Sequence, residues 1–110
     1  MIDINSYQDD DFPEGATLAD REAISEIASH YEAILRLIGD DPSREGLLKT
    51  PLRAARAIWY ATSGNRSGDA ADLMRKALFS HEGSRMVVVR DIEFYSLCEH
   101  HILPFFGTVS

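Results

Sequence analysis

A single cysteine, Cys98, is the only thiol in this chain of 110 residues. One cysteine closes no internal disulfide, which fits a reducing compartment. Apolar runs are short as well, and none approaches the roughly 20 residues that a membrane-spanning helix needs. Basic side chains are outnumbered, 11 Lys and Arg against 18 Asp and Glu, for a net charge of −7. That balance argues against general binding to nucleic acid or to an anionic membrane, while a local basic pocket for phosphates remains compatible with it. The N-terminus is acidic and lacks the basic and apolar regions of a secretory signal. No internal repeat is visible. These absences predict a soluble, cytoplasmic protein with no nucleic-acid and no membrane partner, built as one small domain or as part of a larger one.

What is present divides into three stretches. Residues 1–16 carry Asp9, Asp10, Asp11 and Glu14 together with Pro13 and Gly15, show no period, and read as an acidic, solvated, mobile tail. Residues 17–85 read as helical. Thr17 and Asp20 make a capping box, and Ile24, Ile27, Ala28, Tyr31, Ile34, Leu35 and Ile38 fall on one stripe, which predicts a helix over about 18–38 stopped by Gly39. His30 sits beside that stripe as a boundary side chain. Asp40-Asp41-Pro42 is a turn, and Ser43 to Leu48 a short helical turn. Thr50-Pro51 starts a second helix, with Thr as cap and Pro at the first helical position. Its stripe is Leu52, Ala55, Ile58, Trp59 and Thr62, with Gly64 as the stop. Arg53 and Arg56 lie off the stripe, on a solvated face or in contact with phosphate, which a planar guanidinium suits. Asp69 caps a third helix whose Leu73, Met74, Ala77 and Leu78 are expected to face inward, and His81 follows in an exposed turn.

Residues 86–110 change character. Val87, Val88, Val89, Ile92, Phe94 and Tyr95 give strand propensity over Met86–Leu97, and a second strand begins after Pro104. The fold class expected is therefore α+β, N-terminal helices feeding an antiparallel sheet. A second strand of a few residues leaves an uncovered edge, so either another chain completes the sheet or these residues are the front part of a longer protein.

Between the two strands stand Cys98, Glu99, His100 and His101. A thiolate and an imidazole three positions apart offer two donors to a borderline-soft ion such as Zn²⁺. Adjacent residues of an extended segment point in opposite directions, so the chain must bend over Glu99 and His100 for Cys98 and His101 to converge. His100 is then left beside the metal as a proton carrier. A catalytic zinc needs one more protein ligand and an open position for water. A lone cysteine is more often a small buried hydrophobe, so the flanking sequence has to decide.

That flanking sequence resembles a known family. The run Ile38-Gly39-Asp40-Asp41-Pro42-Ser43-Arg44-Glu45-Gly46-Leu47-Leu48-Lys49-Thr50-Pro51-Leu52-Arg53 is similar to the N-terminal helical segment of GTP cyclohydrolase I. The run from Val88 to Gly107, which contains the Cys-Glu-His-His quartet, is similar to that family's zinc-site strand and turn. The resemblance implies a tunnelling-fold type of sheet, incomplete over these residues. It implies a hydrolytic reaction in which water activated at zinc adds to C8 of the guanine of GTP. The imidazole ring then opens, formate leaves, and the ribose carbons rearrange and close into dihydroneopterin triphosphate. It further implies Cys98 and His101 as zinc ligands, His100 as the proton-transfer residue, Glu99 as a residue that orients the site or touches substrate, and Arg53 as a contact to the triphosphate. The family's third zinc ligand is a second cysteine farther downstream, and its guanine-recognising glutamate is downstream too; neither segment is among these residues. The implied assembly is a ring-shaped homo-oligomer with sheets joined edge to edge. Two other readings compete: a non-catalytic fragment that binds metal weakly or associates with a full-length subunit, and an enzyme of the same broad fold that uses Cys98 as a covalent nucleophile.

Overall fold

A computed structural model of the chain describes residues 7–76 and 86–110. Among these residues three α-helices, α1 (Leu18–Leu37), α2 (Thr50–Ala61) and α3 (Ala70–Lys76), precede two strands, β1 (Ile92–Leu97) and β2 (Pro104–Val109). The class is α+β, as the sequence predicts. The chain divides into two compact units, Met1–Tyr60 and Ala61–Ser110.

In the first unit, α1 starts where its cap chemistry dictates. The Thr17 hydroxyl accepts from the Asp20 backbone N–H at 3.1 Å, and the Asp20 carboxylate accepts from the Thr17 N–H at 3.0 Å. Such caps are worth about 1 kcal/mol. The helix ends at a glycine with φ of 94°, Gly39. Gly39 N–H reaches Arg36 O at 3.1 Å and Asp40 N–H reaches Leu35 O at 2.9 Å, closing the last carbonyls as a Schellman motif does. The apolar stripe is buried only in its first half. Ile24 and Ala28 are fully enclosed, whereas Ile34 is 49% and Ile38 72% exposed. His30 is exposed, as expected of a boundary residue, with Glu26 Oε1 at 3.9 Å from its Nε2.

The turn after α1 is locked by its own polar side chains. Arg44 donates from Nε and Nη2 to the two carboxylate oxygens of Asp40, at 3.0 and 3.3 Å. Asp41 Oδ1 accepts from the Ser43 N–H and hydroxyl at 2.9 and 2.6 Å. A 3-10 turn, Glu45–Leu47, then leads into α2. Thr50 is the first helical residue rather than the cap, one position off the expected start: Lys49 O accepts the first helical bond, from Arg53 N–H, and the Thr50 hydroxyl donates back to Gly46 O at 3.4 Å. Leu52 and Ala55 of α2 join Ile24 and Ala28 in the core, with Ile27, Tyr31 and Trp59 packed around them.

The fifth core residue corrects the expectation of a solvated tail. Phe12 is 5% exposed and Tyr7 packs beside it, their rings edge to face at 5.7 Å. Asp9–Asp11 form a 3-10 turn that carries the acids outward and turns Phe12 inward. Burying one such ring stabilises by about 1.5–3 kcal/mol, which an isolated apolar residue in an acidic stretch does not advertise.

The second unit has no buried residue among those described. Asp69 caps α3 through Oδ1 to the Ala71 N–H at 3.2 Å, as predicted. Leu73 and Met74 do not face inward: they are 51% and 72% exposed on a helix of only 7 residues. Ala77, Leu78 and His81 lie outside the described residues. The strand expected from Met86 begins only at Ile92, because Asp91 adopts φ of 57° and breaks the extended run. Residues 86–91 have no strand opposite them among the described residues, and Val87 and Val88 are 79% and 66% exposed. β1 and β2 pair antiparallel from Ile92↔Val109 to Leu97↔Pro104. The open end is clasped by the Asp91 N–H to Ser110 Oγ at 3.2 Å. No helix among the described residues is long and apolar enough to cross a membrane.

Candidate functional site

The hairpin brings the ends of β1 and β2 together, and Cys98 to Leu103 form the connection. Two backbone bonds close it: Cys98 N–H to Leu103 O at 2.9 Å, and Ile102 N–H to Cys98 O at 3.0 Å. The second encloses Glu99, His100 and His101 in a single turn, so the chain bends where the donor spacing demands. Ile102 reaches this geometry at φ of 55°, a region that β-branched residues rarely adopt. The strain, on the order of 1–3 kcal/mol, is held by the two bonds that flank it.

The bend delivers the predicted pair. Cys98 Sγ and His101 Nδ1 lie 3.8 Å apart. With metal–sulfur and metal–nitrogen bonds of about 2.3 and 2.05 Å, two donors on a tetrahedral ion stand about 3.6 Å apart. The bite therefore has the width that zinc needs. The sulfur is half-buried, and its thiol is held below the usual thiol range. The backbone N–H of Leu103 is the largest cause, and those of His101, His100 and Ile102 add to it, against partial desolvation. A thiolate is the metal-binding form, so the same turn that sets the distance favours the ligand state. Sequence reasoning missed this backbone contribution, and also the left-handed Ile102, for which an isoleucine gives no signal.

His100 and His101 have ring centroids 6.1 Å apart. His100 and Glu99 are exposed, and no side-chain hydrogen bond or ion pair engages either among the described residues. Both are open to solvent. No group of three His, Cys, Asp or Glu side chains converges among the described residues, so the site here consists of the Cys98–His101 pair. Arg53 belongs to the first unit, on the exposed face of α2. Its backbone N–H is used in the helix start, and nothing described engages its guanidinium.

Residues 27–110 match the family model described as GTP cyclohydrolase I. The chain belongs to the GTP cyclohydrolase I family. It is 51% identical over 86 residues to GTP cyclohydrolase 1 of Porphyromonas gingivalis, covering 78% of this chain and 44% of that protein. It is 47% identical over 90 residues to GTP cyclohydrolase 1 of Saccharomyces cerevisiae, covering 82% of this chain and 37% of that one. To the Pseudomonas putida protein named GTP cyclohydrolase 1 2 it is 54% identical over 81 residues, covering 74% and 43%. The chain thus spans less than half the length of these relatives. The matched stretch contains Arg53 and the whole Cys98–His101 turn, while Phe12 and the rest of the acidic stretch precede it.

Proposed function

We propose that this chain serves a GTP cyclohydrolase I reaction: hydrolytic opening of the guanine imidazole ring of GTP to give formate and 7,8-dihydroneopterin triphosphate, at the entry to tetrahydrofolate and pterin synthesis. The observation that carries this reading is the 3.8 Å approach of Cys98 Sγ to His101 Nδ1 inside the stretch that matches the family. Cys98 and His101 would hold zinc, with a third protein ligand supplied from outside the described residues. Bound there, zinc supplies Lewis-acid activation of water near neutral pH.

The remaining roles fall to this chain's own groups. Ring opening needs a proton on the departing nitrogen, and His100 is the exposed imidazole next to the metal pair. Glu99 presents a carboxylate on the same turn, suited to orienting the site or accepting from substrate. Arg53 offers a permanently charged, bidentate donor to the triphosphate. The exposed strand edges fit a homo-oligomer, and the composition fits a cytoplasmic enzyme.

The test is formate release from GTP by a protein that carries these residues together with the remainder of the relatives' length. Cys98→Ser should abolish turnover and zinc content together, and residues 1–110 alone should release no formate at a normal rate. Undiminished turnover in Cys98→Ser would reject the reading.

A further inference from the structure

Residues 7–16 are seated on α1 and α2, yet they are bonded mainly to themselves. Asp11 N–H reaches Gln8 O at 3.0 Å, Phe12 N–H reaches Asp9 O at 3.2 Å, and Ala16 N–H reaches Pro13 O at 3.1 Å. Gln8 N–H donates to Asp11 Oδ2 at 2.8 Å. None of these bonds ties the stretch to the helices, and once it lifts away only its own short turns hold its amides.

Among the described residues, only side chains cross to the helices. Phe12 and Tyr7 pack on the core. Arg21 of α1 makes both polar contacts: Nη1 donates to Asp9 Oδ1 at 2.8 Å, and its guanidinium carbon stands 5.1 Å over the Phe12 ring. Packing beside the stretch is open. Tyr7 walls one hollow of about 600 Å³ shared with Glu32 and Pro42, and another of about 320 Å³ shared with Leu48 and Leu52. Between the seated part and α1 lies Pro13 to Ala16, a turn with Gly15 at φ of 78°, which gives a hinge.

Self-contained bonding, two apolar anchors and a single exposed ion pair describe a unit that opens on its own. We propose that residues 7–12 form a strap that swings on the turn at Pro13 to Ala16 and leaves its seat on α1 and α2 as one body while both helices stay folded, with Arg21–Asp9 as the clasp. Opening uncovers Ile24, Ala28, Leu52 and Ala55. Since Leu52 adjoins Arg53, the strap sets how firmly that part of α2 is held.

Hydrogen–deuterium exchange on the full chain tests this. The amides of Asp11 and Phe12 should exchange together, about tenfold or more faster than that of Ala28. Asp9→Asn should speed the strap by about threefold, the scale of an exposed ion pair, and remove its acceleration by salt, with Ala28 unchanged. In Phe12→Ser, strap protection should vanish while the amide of Ala28 remains protected. One common rate for strap and helix, an Asp9→Asn strap indistinguishable from the parent, or loss of Ala28 protection in Phe12→Ser would each overturn the proposal.

Discussion

The Cε1–Cζ edge of the Phe94 ring sits against Gly107, its register partner in the hairpin. A Cβ at Gly107 would come within 2.9 Å of Phe94 Cε1 and Cζ, so the ring occupies the space that the missing side chain leaves. The same ring meets Phe105 edge to face at 6.3 Å. The hairpin that presents Cys98 and His101 therefore depends on a glycine in its second strand. Gly107→Ala should displace the Phe94 ring and cost about 1 kcal/mol, in the range of overpacking effects. Loss of the Phe94–Phe105 contact in the NOE pattern, together with a lower thermal midpoint, checks it; an unchanged ring environment would show that the space is not needed.

The turn after α1 gives a pH-dependent prediction. The Asp40 carboxyl is held below the usual carboxylate range, first by its hydrogen bond from Arg44 and then by the Asp41 N–H. A depressed carboxylate pKa adds stability that is present above the ordinary carboxylate value and lost as pH falls through the depressed one. Arg44→Gln should move the Asp40 titration up toward the ordinary value and narrow that acid window. A carboxyl-carbon NMR titration of both proteins reads this directly, and an Asp40 midpoint unmoved by the substitution would remove Arg44 as the cause.

Much of this was legible because it is local. Thr17, Asp20 and Gly39 bracket α1 with chemistry that acts over a few residues, and Asp69 does the same for α3. The bend at Cys98–His101 was legible as a requirement, since no straighter path lets the two donors meet. Phe12 was not, because its partners Ile24, Leu52 and Ala55 lie on two separate helices and its own neighbours are acids without a period. The late start of β1 was hidden in a valine-rich run whose propensity favours a strand, but which meets no pairing partner among the described residues. Leu73 and Met74 have the spacing of an inward face, yet no described residue covers them.

Arg53→Ala, made in a protein that also carries the remainder of the relatives' length, should weaken GTP binding about tenfold or more, as loss of a charge-assisted contact does, and leave zinc content intact. Guanosine, which lacks the triphosphate, should bind the variant and the parent alike. Calorimetric titration with the two ligands separates the cases; equal losses for GTP and guanosine, or no loss for either, would return Arg53 to the solvated face of α2.

The most direct measurement is zinc per subunit, paired with formate release, for His101→Ala and His100→Ala in that same protein. His101 Nδ1 faces the Cys98 sulfur at 3.8 Å, whereas the His100 ring, its centroid 6.1 Å from that of His101, makes no such contact with the sulfur among the described residues. His101→Ala should therefore lose zinc and activity together, since a three-ligand site is reduced to two. His100→Ala should keep its zinc while turnover falls by about 10²–10⁴-fold, the usual contribution of a positioned proton carrier. Equal zinc loss in both variants, or full turnover in His100→Ala, would contradict the division of roles between these two histidines.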